Sequence, residues 1–145
     1  MLTQRDACAM KVVCEHNLEN PYRYSLIRNL VAYNDKQAPS EHWEFVGFYV
    51  LDNNNDLLGG IQGHFEWDWL HITQLWVKDT GKGLGSFLME KVEAYARTRG
   101  RIGILLDTYE FQARHFYERL GFDVFGVIEN AAGRYARYFM FKRIA

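Results

Sequence analysis

The stretch from residue 70 to residue 98 contains the pattern that most restricts the fold of this chain. LHITQLWVK (70–78) is apolar on both faces, as expected of a central strand covered on both sides. It runs directly into a loop in which three glycines fall within five positions, 81–85. Behind the glycines, apolar residues recur at helical spacing: Leu84, Phe87, Leu88, Val92 and Tyr95. We therefore expect a strand, a glycine loop and an amphipathic helix that begins at the loop and ends before Gly100.

The remaining segments predict a sheet built around this unit. Asn-Pro at 20–21 starts a helix over 20–35, and a short helix carries Ala113, Phe116, Tyr117 and Leu120 on one face and ends at Gly121. The predicted strands cover residues 10–16, 42–52, 57–67, 70–78, 101–108, 122–129 and 134–144. Three glycines in 57–67 indicate a bulge or a close approach by another group. The fold class expected is α/β, with a mixed, mostly antiparallel central sheet flanked by helices in a single domain, 1–145.

Composition restricts the class of protein. With 145 residues, 48% hydrophobic and 24% charged, the chain has the size and composition of one globular domain. A net charge of −1 gives no reason to expect nucleic acid or a membrane as partner. No apolar run reaches the roughly 18 residues that cross a bilayer, and the first residues lack the order of a signal peptide, so we expect a cytoplasmic protein. Cys8 and Cys14 have no metal-binding spacing, and we expect them to be reduced thiols.

The glycine loop does not match two well-known phosphate-binding patterns. A nucleotide-hydrolase loop needs an upstream glycine and a Gly-Lys-Ser/Thr ending, and a dinucleotide fingerprint needs a third glycine where Ser86 stands. Bare backbone amides from Lys82 to Ser86 at the positive end of a helix still form a cradle suited to a pyrophosphate. A flexible turn between strand and helix is the alternative.

Two separate motifs resemble the GNAT family of N-acetyltransferases. Gly83-Leu84-Gly85 occupies the family's glycine positions, after the strand ITQLWV and before a long helix. FQARHFYERLGFDVFG is similar to a later family segment, with these residues in the matching places: Ala113, Tyr117, Leu120, Gly121 and Phe122. The resemblance covers about residues 43–143. It implies the acyl-CoA N-acyltransferase fold, acetyl-CoA as cosubstrate and no metal.

The resemblance also implies which residues hold acetyl-CoA. Main-chain groups of Leu75 and Val77 would bind the pantetheine arm and polarise the thioester. The pyrophosphate would lie in the glycine loop, formed by Lys82, Gly83, Leu84, Gly85 and Ser86. Thr80 stands where the family usually has Gln or Arg, so backbone amides, helped by Lys82 or the Ser86 hydroxyl, would have to bind the pyrophosphate.

Acetyl transfer to an amine needs a proton for the departing thiolate and a base for the amine. Tyr117 is the candidate acid, because a phenol with a pKa of about 10 is protonated at neutral pH. A structural tyrosine on the apolar face of its helix is the alternative. His71 stands where some relatives have a glutamate base, and its ordinary pKa of about 6.5 suits that role. A structural histidine, with a water chain as the base, is the alternative.

The acceptor is expected to be a primary amine of a small molecule, attacked directly in a ternary complex. Glu66, Trp67 and Trp69 lie just before the central strand, and aromatic rings beside a carboxylate can hold a cationic amine. Alternating aromatics are also typical of one face of a packed strand. Protein N-termini or lysines are the alternative acceptors, and a catalytically silent acyl-CoA-binding module is the alternative function. An exposed sheet edge would allow a homodimer.

Overall fold

A computed structural model describes residues 10–38 and 43–145, so Cys8 lies outside the described residues. The described residues belong to two units, one before and one after residue 40. The first unit contains helix α1 (Pro21–Asp35), where the Asn20 side chain accepts a hydrogen bond of 2.8 Å from the backbone N–H of Arg23. Asn20 and Pro21 thus start the predicted helix as expected. The prediction of a strand over 10–16 was wrong, because β-branched residues favour extended backbone but do not supply a partner strand.

The second unit is a six-stranded sheet with two helices. Its elements are β1 (Glu44–Leu51), β2 (Leu57–Glu66), β3 (Trp69–Val77), α2 (Leu84–Thr98), β4 (Gly103–Tyr109), α3 (Arg114–Arg119), β5 (Asp123–Ala132) and β6 (Tyr135–Arg143). The strand order is β1-β2-β3-β4-β6-β5, and only the β3–β4 pairing is parallel. The predicted mixed, mostly antiparallel sheet is therefore confirmed, with β1 and β5 at its edges.

Helix α2 supplies much of the core on one face of the sheet. Its buried residues are Leu88, Met89, Val92 and Ala96. Phe87, predicted on the buried face, is instead 45% exposed, and the Lys91 ammonium lies 5.1 Å from the centre of its ring. The helix is thus rotated so that Met89 and Ala96 contact the core in place of Phe87. Gly100, with φ of +68°, ends the helix as predicted.

A β-bulge interrupts the pairing of β2 with β3. Gln62 pairs with Gln74 and Gly63 with Ile72, so Thr73 is an extra residue in β3. A Cβ atom built on Gly63 would lie 2.1 Å from the carbonyl oxygen of His71, which only a glycine permits. Of the two alternatives predicted for this glycine-rich strand, a bulge or a close approach, the close approach is confirmed at Gly63, and the extra residue of this bulge belongs to the facing strand β3.

The bulge also explains why β3 has apolar residues at even-numbered positions before it and at odd-numbered positions after it. Leu70 and Ile72 are buried before it, and Leu75 and Val77 pack against the same core after it. On the other face, Trp76 is 53% exposed, and Thr73 and Gln74 are exposed as well. The expectation of a strand covered on both sides is therefore wrong, because one extra residue shifts the alternation by one position.

Strands β3 and β4 run side by side over only three residue pairs. The last of these pairs is His71 with Leu105. Beyond it, β4 continues to Tyr109 paired with β6 alone, and β3 continues to Val77 paired with β2 alone. The two strands therefore separate towards their carboxyl ends. Among the described helices, none is long and apolar enough to cross a membrane.

We expect Gly63→Ala to destabilise the protein, because the added methyl group must displace the His71 carbonyl. The free energy of unfolding should fall by about 1–3 kcal/mol, as in other overpacked sites. Urea unfolding followed by circular dichroism measures the change.

Gly126→Ala is the matched control, since a Cβ atom there would lie 3.8 Å from Phe139, an ordinary contact. This variant should stay within about 1 kcal/mol of the wild type. Equal stability of the two variants would contradict the tight contact at Gly63.

Candidate active site

A cleft of about 800 Å³ lies where β3 and β4 separate. One wall is the second half of β3, and the other is the end of β4 with the start of α3. The glycine loop and the first turn of α2 close one end of the cleft. The three sequence features singled out above, the central strand, the glycine loop and the short helix with Tyr117, therefore meet in one place.

The main chain of β3 faces this cleft at two of the predicted positions. The backbone N–H of Lys78 donates a hydrogen bond to the carbonyl oxygen of Leu58, the second residue of β2. Because main-chain groups of consecutive strand residues point to opposite sides, those of Val77 and Leu75 point away from β2. On that side β4 has already separated, so the N–H and C=O groups of both residues are available to a ligand. This geometry supports the predicted role of Leu75 and Val77 towards the pantetheine arm.

The glycine loop leaves the N-terminus of α2 open. Gly83 is the N-cap residue with φ of +82°, and the helix has no side-chain cap. A Cβ atom at Gly81 or Gly83 would have no atom of the described residues 10–38 and 43–145 within 4 Å. The amides of the first turn, at Leu84, Gly85 and Ser86, thus face open space with the positive end of the helix dipole behind them. An anion such as a pyrophosphate fits this site.

Most of the predicted cofactor residues line the cleft, and one does not. Gly83, Leu84, Gly85 and Ser86 are lining residues, together with Thr80. The Lys82 ammonium instead lies 3.3 Å from a carboxylate oxygen of Asp79, and its side chain is 73% exposed. A phosphate contact by Lys82 would therefore require it to leave Asp79, which such an exposed pair permits.

Tyr117 belongs to the hydrophobic core and also lines the cleft. It is 7% exposed, and its ring packs against those of Phe116 and Phe122 at centroid distances of 5.1 and 5.8 Å. Burial, with a smaller contribution from the negative charge of Asp107, raises the pKa of Tyr117 to about 12. Among the described residues, no group forms a hydrogen bond with its hydroxyl. The cleft thus contains a phenol that keeps its proton at neutral pH.

Asp107 is one of the charged residues of the cleft that the sequence reasoning missed. Its side chain is 23% exposed, and one carboxylate oxygen accepts a hydrogen bond of 2.7 Å from Nε of Arg137. It follows an apolar run in β4, and a charge at the carboxyl end of a buried strand is a signal that could have identified it. Thr108 next to it is buried and accepts a hydrogen bond from the N–H of Ala113, which fixes the start of α3.

His71, the predicted base, lies outside the lining of the cleft. Its ring meets that of His64 edge to face at 5.1 Å, and His64 stacks on Trp43. Burial lowers the pKa of His64, and the neighbouring His71 lowers it further. The role of His71 as a base stays a prediction, and from this position it would act through water.

The three residues predicted to hold the acceptor also lie outside the lining of the cleft. Trp69 covers Gly103, where a Cβ atom would lie 2.1 Å from its ring. Glu66 lies 3.9 Å from the His64 ring nitrogen, and the Trp67 carbonyl accepts a hydrogen bond of 2.8 Å from Arg101. Their role in binding the acceptor stays a prediction. Polar cleft residues that the sequence reasoning did not single out include Thr73, Gln74, Asp107, Gln112 and Arg119.

We expect Tyr117 to ionise near pH 12, about two pH units above an ordinary tyrosine. The absorbance of tyrosinate, titrated in the wild type and in Tyr117→Phe, isolates this group as the difference between the two curves. Asp107→Asn should lower the pKa of Tyr117 but leave it above the ordinary value, because burial is the larger cause. A difference curve with its midpoint near pH 10 would contradict this environment.

Comparison with known proteins identifies the family. The Acetyltransferase (GNAT) family model matches residues 14–122. The blasticidin-S acetyltransferase of Streptomyces morookaense is 43% identical over 82 residues, which cover 54% of this chain and 60% of that protein. An acetyltransferase of Agrobacterium fabrum is 32% identical over 99 residues, 67% of this chain and 72% of that protein.

A crystal structure supports the same assignment. An acetyltransferase from Bacillus cereus superposes with a TM-score of 0.77 and 28% identity, covering 90% of this chain and 98% of that one. The fold expected from the two motifs is thus confirmed. Acetyl-CoA is the acetyl donor of this family, which confirms the predicted cosubstrate. Among the described residues, no group of three or more His, Cys, Asp or Glu could hold a metal ion. The chain belongs to the GNAT family of acetyltransferases.

Proposed function

We propose that this protein transfers the acetyl group of acetyl-CoA to a primary amine of a small molecule, by direct attack within a ternary complex. The observation that carries the proposal is the cleft between β3 and β4. It combines open main-chain groups of β3, the uncapped N-terminus of α2 and the protonated hydroxyl of Tyr117. Each serves a different need of acyl transfer: holding the donor, binding its phosphates and providing a proton.

The residues of the cleft fit acetyl-CoA, which supplies the acetyl group as an activated thioester. The amides of Gly85 and Ser86 and the Ser86 hydroxyl would hold the pyrophosphate at the start of α2. The main-chain groups of Leu75 and Val77 would hold the pantetheine arm as an added partner for the free side of β3. Leu84 and Phe116 would close the apolar wall of the cleft between these two regions.

Tyr117 holds the proton that the departing thiolate needs. A thiol has an ordinary pKa of about 8.5, below that of the Tyr117 phenol, so the hydroxyl would act by donating a hydrogen bond to the departing thiolate rather than by ionising completely. The raised pKa keeps the phenol protonated throughout the physiological range. Its hydroxyl makes no hydrogen bond with the described residues, so no internal partner has to be displaced before it donates.

Asp107 provides the negative charge for an acceptor that arrives as an ammonium ion. One of its oxygens accepts a hydrogen bond from Arg137, which orients the carboxylate, and the other, which has no hydrogen bond with the described residues, would contact the cation. A base must then take the proton from the amine. We retain His71 acting through water for this step, with Glu66, Trp67 and Trp69 as candidate contacts of the acceptor.

The relatives and the dimensions of the cleft both favour a small acceptor. The Streptomyces relative acts on blasticidin S, a small antibiotic, although the match spans only 60% of that protein. A cleft of about 800 Å³ has the size of a small-molecule site. A small amine is therefore preferred here over a protein N-terminus or lysine.

We expect Tyr117→Phe to lower kcat by about 100-fold or more, the typical effect of losing a general acid. The affinity for acetyl-CoA should change by less than about twofold, because the ring and its packing remain. Release of CoA from acetyl-CoA in the presence of a panel of small amines, with isothermal titration for affinity, measures both quantities.

Tyr95→Phe is the control for this substitution, since its hydroxyl accepts a hydrogen bond of 3.1 Å from Arg99 and lies outside the cleft. It should keep wild-type turnover. Unchanged turnover in Tyr117→Phe would remove Tyr117 from the mechanism. Binding of acetyl-CoA without turnover of any amine or peptide by the wild type would favour a silent binding module.

We expect Asp107→Asn to raise the KM for the amine by about 10-fold or more, the loss of a charge-assisted contact. The KM for acetyl-CoA should stay unchanged. Asp123→Asn, an exposed position at the start of β5, removes the same charge outside the cleft and should have no effect. Equal KM values in the two variants would show that Asp107 does not bind the acceptor.

A further inference from the structure

A continuous set of hydrogen-bonded side chains crosses three strands and ends at the cleft. The Tyr49 hydroxyl donates to Gln62 Oε1 at 2.8 Å, and Gln62 Nε2 donates to Gln74 Oε1 at 2.8 Å. The Thr73 hydroxyl donates to the same Gln74 oxygen at 2.7 Å. We call these four residues the Tyr49–Gln74 network. Of the four, Thr73 and Gln74 line the cleft.

Two glycines hold the ring of Tyr49 flat on the sheet. A Cβ atom at Gly60 would lie 2.8 Å from the Tyr49 ring, and one at Gly47 would lie 2.5 Å from its hydroxyl. A side chain at either position would lift the ring away from the sheet. The Tyr49 hydroxyl reaches Gln62 only because the ring lies across this space. The position of the first donor is therefore set by the backbone, although the ring itself is half exposed.

The network fixes the orientation of the Gln74 amide. Gln62 and Gln74 are a directly paired couple across β2 and β3, and the carboxamide oxygen of Gln74 accepts from two donors. A carboxamide with its oxygen held in this way presents its two N–H groups in a defined direction. Among the described residues, no group accepts a hydrogen bond from Gln74 Nε2. The bulge at Thr73 brings this amide to the edge of the cleft.

We propose that Gln74 selects the acceptor by donating a hydrogen bond to a carbonyl oxygen or ring nitrogen of the amine that is acetylated. This inference rests on the proposed function. Across the separation of the strands, Asp107 lies on β4 at the level that Thr73 occupies on β3, because the parallel register pairs Leu105 with His71. The acceptor class is thus an amine with a neutral hydrogen-bond acceptor near the reacting nitrogen. The ammonium contacts Asp107 and the neutral group contacts Gln74.

Tyr49, Gln62 and Thr73 are positioning residues that act through Gln74. They keep the amide from rotating, which would exchange its N–H groups for its oxygen. An acceptor that displaces water from the Gln74 amide but offers it no hydrogen-bond acceptor leaves the N–H groups unpaired and loses binding energy, so an amine without a carbonyl or ring nitrogen is disfavoured. The selectivity is therefore the ratio of kcat/KM between amines that have such a hydrogen-bond acceptor and amines that lack one.

The test substitutes Gln74→Glu and compares two acceptors, blasticidin S and the plain diamine putrescine. A carboxylate still accepts from Gln62 and Thr73, so the network is retained, but it presents an oxygen in place of the N–H groups. The kcat/KM ratio of blasticidin S to putrescine should fall by about 10-fold or more. The KM for acetyl-CoA should stay unchanged, and putrescine should react as well as before or better, because a carboxylate attracts its charge.

Tyr49→Phe removes the first donor and should shift the same ratio in the same direction by a smaller factor, through KM rather than kcat. Asn53→Asp, in the exposed turn between β1 and β2, adds the same charge as Gln74→Glu without touching the network and should leave the ratio unchanged. Circular dichroism and urea unfolding confirm that each variant is folded.

Two failures are distinguishable. If the wild-type protein acetylates neither amine, nor any other small amine, the proposed function fails together with this inference. If it acetylates amines and the ratio is the same in the wild type and in Gln74→Glu, the function stands and the role of Gln74 is overturned. An equal loss for both acceptors would also overturn it, since that outcome indicates a general structural role.

Discussion

The contact between Gly63 and the carbonyl group of His71 is the constraint on which the rest of the site depends. Because Gly63 has no side chain, β2 stays paired with β3 on both sides of the extra residue Thr73. A bulge bends its strand and increases the local twist, and this one lies two residues after the last pair between β3 and β4. The strand therefore turns away from β4 while it stays paired with β2. A cleft in the middle of a continuous sheet follows from this single register shift.

The same register shift determines which groups of β3 face the ligand and which pack against the core. It returns Leu75 and Val77 to the core face, so β3 keeps its apolar contacts with α2 and the sheet after the bulge. Their main-chain groups, turned away from β2, lose a partner strand at the same step. Unpaired main-chain groups in a protein interior carry a free-energy cost, and a bound ligand or solvent must satisfy them. The core stabilises the strand in a position that its hydrogen bonds alone would not favour.

Sequence reasoning could predict the parts of this site that depend on local pattern. The glycine loop, the helix behind it and Tyr117 each belong to short motifs, and the main-chain direction of Leu75 and Val77 agrees with the role assigned to them. It could not predict the separation of β3 from β4, because the pairing of segments that are distant in sequence produces no periodic pattern in the sequence. Gln74 was missed for the same reason, since it becomes part of the site only through that separation, whereas Asp107 had a signal in its position at the carboxyl end of a buried strand. His71 is a residue type that often serves as a base, but its ring lies against His64 and outside the lining of the cleft.

The cleft is electrostatically asymmetric, and this asymmetry determines at which end each of the two substrates of the proposed reaction would bind. The uncapped N-terminus of α2 provides partial positive charge at one end, where an anionic pyrophosphate is favoured. The carboxylate of Asp107 provides negative charge on β4, where an ammonium is favoured, and Arg137 keeps that carboxylate oriented. Tyr117 lies near Asp107, close enough for the charge of the carboxylate to raise its pKa, and its pKa keeps it neutral and protonated. Each substrate would be repelled from the end that suits the other, so the cleft can hold an amine and a thioester in one relative orientation, which is the main requirement for direct attack.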